Sequence, residues 1–166
     1  MAEVLFIKPE DVKKYSVISG NMDDDKLLQW IKIAQDTHVQ NYLGTDLFAR
    51  LQAGVTAADL TSAETDLLND YIKDMVIHWA IVEILGYAPY TISNKGVYKH
   101  SSENAETVSK EEVDSLIERH RNIAQSYSRR FVDYMCYNES AFPQYTSNTD
   151  EDVKPSTSTD FNTWVL

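Results

Sequence analysis

Apolar residues recur along this chain at the three-to-four spacing of helices, and the polar runs between those stretches mark the joints. The first helix is predicted to begin around Asp23, with Leu27, Leu28, Ile31, Ala34, His38, Val39 and Tyr42 on one side. Asn21 or Asp23 can cap it, and Asp23, Asp24 and Asp25 sit where the helix dipole favours acids. Gly44 is placed to terminate it in a left-handed conformation. A short second helix then runs through Leu47, Phe48 and Leu51, capped by Thr45 or Asp46 and predicted to stop at Gly54.

Thr61-Ser-Ala-Glu64 has the form of a capping box, in which Thr and Glu each satisfy a free backbone N–H. It opens a third helix through Leu67, Leu68, Tyr71, Ile72, Met75, Val76, Trp79 and Val82. With Ile77, Ile81, Ile84 and Leu85 added, its second half is apolar nearly all round, the mark of a central helix. Pro89 ends it. Ser109-Lys-Glu-Glu112 is a second capping box and opens a helix striped by Val113, Leu116, Ile117, His120, Ala124, Tyr127, Phe131, Tyr134 and Met135.

The connecting segments read differently. Val4 to Ile7 suggests a strand or an extended arm, and Pro9 to Tyr15 a turn or two of helix. Tyr90-Thr-Ile92 and Val97-Tyr98 flank Ser93-Asn94-Lys95-Gly96, a turn between two β-like runs. Such a hairpin is marginal in water, so it is expected to lean on the body or on another chain. After Asn138 come mostly polar residues and then Phe161-Asn-Thr-Trp-Val-Leu166. The predicted fold is all-α: a bundle of three long helices and one short helix over residues 1–138. A projecting β-hairpin-like loop is expected at about 90–108, with extended arms at the N-terminus and over 139–166.

Composition sharpens this picture. A chain of 166 residues, 43% apolar and 25% charged, suits one domain with its own core. The formal net charge of −11 argues against a surface that grips phosphates. The single cysteine, Cys136, has no internal disulfide partner and is expected as a small core residue in a reducing compartment. No apolar run approaches a membrane span, and the first residues lack the pattern of a signal peptide. A soluble protein made in a cytoplasm is expected.

The candidate chemistry is thin. A carboxylate-bridged metal bundle needs Glu three residues before His. Those positions hold Gln35, Met75, Val97 and Ile117 ahead of His38, His78, His100 and His120. Packed structural histidines are the better reading. There is no Gly-x-Ser-x-Gly elbow and no phosphate-cradling glycine loop. The expectation is therefore no catalytic residue, no cofactor and no metal.

Contact residues are a stronger theme. Tyr98 and Tyr145 fall in segments expected to project, as do Asn94, Lys95 and Gly96 of the turn. Phe161, Trp164, Val165 and Leu166 are more apolar than a solvated tail requires. Burying each gains roughly 1.5–3 kcal/mol, while ordering each backbone residue of the segment costs about 1–2 kcal/mol. The sums nearly cancel. One such hook is weak, and many on a symmetric particle would hold through effective concentration.

Several segments together resemble a known family. They are Ile33-Ala-Gln-Asp-Thr-His38 with Asn41-Tyr-Leu-Gly-Thr-Asp-Leu47, Asn94-Lys-Gly-Val97 with Ser102-Glu-Asn104, Val108-Ser-Lys-Glu-Glu-Val113, Phe142-Pro-Gln-Tyr-Thr-Ser-Asn148 and Trp164-Val-Leu166. They resemble the head-to-tail connector (adaptor) proteins of tailed bacteriophages, particularly the helical ring proteins of crAss-like phages. The resemblance implies a virion structural protein, assembled in the bacterial cytoplasm as a twelvefold homo-oligomeric ring. Its implied partners are the portal protein and tail or second ring proteins, with DNA passing through the channel without specific binding. No catalytic residues and no membrane come with it. The alternative is a small helical adaptor or regulatory domain that binds a host or phage protein through its C-terminal arm.

Overall fold

The computed structural model describes residues 4–18, 20, 22–87, 90–93, 96–99, 109–149 and 152–158. It is mostly helical. Helix α1 is Pro9–Tyr15. Helix α2 spans 24–43 as Asp24–Ala34, a π-helical turn at Gln35–Val39, and Gln40–Leu43. Helix α3 is Thr45–Ala57. Helix α4 spans 62–87 and carries a second π turn at Leu68–Ile72. Strands β1 (Tyr90–Ser93) and β2 (Gly96–Lys99) pair antiparallel, with Ser93 opposite Gly96. Helix α5 is Lys110–Asn138, followed by a 3-10 turn at Glu139–Ala141 and helix α6 at Pro143–Ser147.

Helix α4 is the spine, packed between α2 and α5. Met75, Val76, Ile77, Trp79, Ala80 and Ile81 are all buried on it, as an apolar-all-round sequence requires. Both predicted capping boxes form. The Thr61 N–H donates to Glu64 Oε2 (2.8 Å) and the Ser109 N–H to Glu112 Oε2 (2.8 Å). The reciprocal bonds run from the Glu64 and Glu112 N–H groups to the two hydroxyls.

The N-terminal segment is pinned rather than paired as a strand. Gln35 and Gln52 both donate side-chain N–H bonds to the Val4 carbonyl (2.9 and 3.2 Å), and the Phe6 N–H donates to Gln35 Oε1 (2.8 Å). Phe6 packs edge-on against Phe48 at 5.3 Å between centroids. Ion pairs Lys13–Asp24 and Lys73–Asp11, each at 2.6 Å, hold α1 against α2 and α4.

Three local expectations are corrected. Helix α3 does not stop at Gly54 but runs to Ala57, where Ala58 takes the left-handed position at φ 55°. Gly54 has a packing role instead, because a Cβ there would run into Leu60 Cδ2. Gly44 does have positive φ, but at φ 74°, ψ 161° it is extended rather than left-handed, a conformation open almost only to glycine. Cys136 is exposed, since Met135 takes the core position and the next residue is carried round by a helical step.

The largest correction concerns residues 139–149, which the sequence reading places in an extended arm over 139–166. Phe142 is 1% exposed and Tyr145 9%. Tyr145 packs edge-on against Phe131, and Phe142 against Tyr134. Tyr145 is therefore part of the core and not a projecting contact. Two aromatics outweigh the polar run around them, because each gains roughly 1.5–3 kcal/mol on burial.

Candidate functional site

The joint between α2 and α3 is where the C-terminal segment is held. At Gly44 the chain turns without a side chain, and the space is taken by Pro155 and Asn148. Neither Thr45 nor Asp46 caps α3, because both are engaged elsewhere. The Thr45 N–H donates to the Val153 carbonyl (2.9 Å), and its hydroxyl donates to Asp152 Oδ2 (3.0 Å) while accepting from the Val153 N–H (3.0 Å). Asp46 Oδ2 accepts from the Thr149 N–H (2.6 Å) and hydroxyl (3.2 Å). The Asn148 amide donates to the Val153 carbonyl (3.1 Å), and the Ser156 N–H donates to the Asn41 carbonyl (2.7 Å). With a net worth of about 0.5–1.5 kcal/mol per bond, this clasp is enough to keep residues 152–158 on the body.

A second feature lies on other elements. A groove of about 790 Å³ runs between Tyr15 and Val17 after α1, His78 of α4, and Leu116, Arg119 and His120 of α5. Tyr15, Val17 and Leu116 are exposed, Val17 to 77%. The Lys14 and Lys73 ammonium groups each sit 5.1 Å from the Tyr15 ring centre, a cation–π arrangement. Lys14 and Arg119 make no ion pair among the described residues.

The floor of the groove holds two imidazoles. The His78 and His120 rings lie 5.9 Å apart, and His78 stacks on Tyr127 at 5.2 Å. Nδ1 of each is buried with no hydrogen-bond partner among the described residues. Burial pushes the His78 imidazolium down, the charge of His120 adds to this, and Asp74 opposes it. Burial and then Arg119 push His120 down as well. Both are neutral at pH 7.

His38 has a different environment. It stacks on Trp79 at 4.0 Å and 5°, and its Nε2 meets Glu83 Oε1 at 2.8 Å. The Trp79 N–H donates to the Ser128 hydroxyl (3.2 Å), which donates to the Ala124 carbonyl (3.0 Å). This network ties α2, α4 and α5 together and is structural. Among the described residues no group of three or more His, Cys, Asp or Glu is placed to hold a metal ion. No helix among them is long and apolar enough to cross a membrane.

The sequence-predicted contact residues fall unevenly on this structure. Phe161, Trp164, Val165, Leu166, Asn94 and Lys95 lie outside the described residues. Gly96 and Tyr98 belong to β2, where Tyr98 pairs with Thr91. Sequence reasoning missed both the clasp and the groove. Lys14, Val17 and Arg119 have no pattern that marks them, and Thr45 and Asp46 have the form of helix caps.

No curated protein and no solved structure matches the chain. A family model does match, over residues 39–154, from the π turn of α2 into the clasp. The chain belongs to that family, DUF6712, a family of unknown function.

Proposed function

We propose that this chain is a virion structural protein, a head-to-tail connector that assembles as a ring between portal and tail. The observation that carries the reading is the clasp. It holds the chain on the body as far as Ser156, five residues before Phe161 in a sequence that goes on to Trp164, Val165 and Leu166. A hook that follows a fixed point in sequence is suited to a repeated contact between copies, where many weak bonds act together. The resemblance of the sequence to phage connector proteins supports the same reading.

In this role the β1–β2 segment, with Asn94 and Lys95 between its strands in sequence, contacts a neighbour, the portal or the tail. The ring is twelvefold, and DNA passes through it unbound. The charge of −11 suits such a channel, because an acidic wall repels a polyanion. Asp66, Asp70 and Asp74, four residues apart on α4 with the first two exposed, are the acids this reading assigns to its wall. Light scattering after size exclusion, with and without portal protein, tests the proposal. A ring-sized species that forms on portal supports it. A monomer that ignores portal overturns it in favour of a small adaptor.

A further inference from the structure

The groove at His78 and His120 is a surface with a defined chemistry and no described occupant. Its rim is apolar, at Tyr15, Val17 and Leu116. Its charges are cationic, from Lys14 and Arg119. Its floor is formed by His78 and His120. An occupant should bring apolar side chains and a carboxylate.

We propose that the groove is the docking site for residues 159–166 of a second copy of this chain. This rests on the connector reading and names the contact that closes its ring. Thr159-Asp-Phe-Asn-Thr-Trp-Val-Leu166 supplies one acid, no base and four apolar side chains. Its approach is favoured by charge: residues 139–166 carry Glu139, Asp150, Glu151, Asp152 and Asp160 against Lys154 alone. Trp164 and Phe161 lie against the aliphatic rim, and Asp160 pairs with Arg119. The donor and acceptor are different surfaces of one chain. Asn41, Thr45 and Asp46 hold the tail, and none of them lines the groove. A contact between unlike patches of identical subunits is head-to-tail, the kind that generates rings.

The test is a cross-link between two species, both carrying Cys136→Ser. One has Val17→Cys, or Leu116→Cys as a second site, and the other has Thr163→Cys, which leaves Trp164 in place. They are mixed in the presence of portal and treated with a short bismaleimide. A covalent dimer joining the two species is expected. Arg119→Glu should lower its yield about tenfold, the effect of roughly 1.4 kcal/mol, and Asp160→Arg should restore it. No dimer while a ring still assembles overturns the groove and leaves the connector reading intact. Closure of one chain carrying both cysteines onto itself, without dimer, also overturns it. A dimer from a protein that never forms a ring on portal upholds the groove and sinks the connector reading.

Discussion

Gly44 and Pro155 meet so closely that a Cβ on Gly44 would lie 2.6 Å from the Pro155 ring carbons. The same Cβ would stand 2.8 Å from Asn148 Oδ1. Residues more than a hundred positions apart are thus matched at one point, and the backbone at φ 74°, ψ 161° leaves no room for compromise. Gly44→Ala combines a strained conformation, about 1–3 kcal/mol, with a clash that must push the tail away. The expected outcome is a stability loss of about 2–4 kcal/mol in urea titration. Hydrogen exchange should speed up at the Thr45, Val153 and Ser156 amides while α4 stays protected. An unchanged exchange pattern would remove the clasp from the account.

Gly54 makes a second, independent prediction. Alanine is the better helix former by about 1 kcal/mol, so Gly54→Ala should stabilise α3 if propensity decided the matter. Overpacking against Leu60 costs typically 1–3 kcal/mol, and it acts on a buried position. The variant is expected to be destabilised on balance, and Leu60→Ala in the same chain should relieve the clash. Denaturation midpoints of the two single variants and the double variant check this.

The Arg50–Glu64 fork predicts a pH dependence at the acid end. Arg50 Nε and Nη2 donate to the two Glu64 carboxylate oxygens (2.8 and 2.9 Å), while Nη1 donates to Asp59 Oδ1 (2.9 Å). Burial pushes the Glu64 carboxyl up, but Arg50 and Thr61 together hold it below its ordinary 4.5. A depressed acid contributes stability that is whole above the unfolded value and is lost as pH falls through the folded one. Glu64→Gln should therefore cost about 1.5–3 kcal/mol at pH 7. The gap to the unsubstituted chain should narrow below pH 4.5, measured by thermal melts across that range.

His78 and His120 act in a neighbouring window. Both are held below their ordinary 6.5, so protonation favours the unfolded chain as pH drops. Stability is whole above pH 6.5 and falls below it. Replacing both with Gln should flatten the melting temperature between pH 6.5 and about pH 5. A profile as steep as before would mean that other groups set it.

The channel assignment can be tested at Asp66 and Asp70. Both are exposed, so Asp66→Lys with Asp70→Lys should change folding stability by no more than about 0.5 kcal/mol. Particles carrying the pair should release packaged DNA more slowly. Unaltered release kinetics would take α4 off the channel wall.

What the sequence revealed was what is local. The capping boxes at Thr61 and Ser109 lie within four residues, and the apolar circumference of α4 within four turns, so a pattern along the chain suffices. The clasp joins Thr45 to Asp152 and Asp46 to Thr149, pairs of common polar types whose meaning exists only after folding. Thr45 and Asp46 look like caps for the same reason that they serve the clasp, their short oxygen-bearing side chains. Tyr145 was obscured by the polar average around it, and Cys136 by a stripe that ends one residue earlier. The groove needed the end of α1 to be brought across from α5 by its packing on α2 and α4, which no periodicity specifies.

The most direct measurement is a map of the portal-bound particle at a resolution that traces the chain beyond Ser158. The account predicts a closed ring in which each subunit's Trp164 enters the groove beside Val17 and Leu116 of the next. Subunits bound singly, or Trp164 folded back onto its own body, would contradict it.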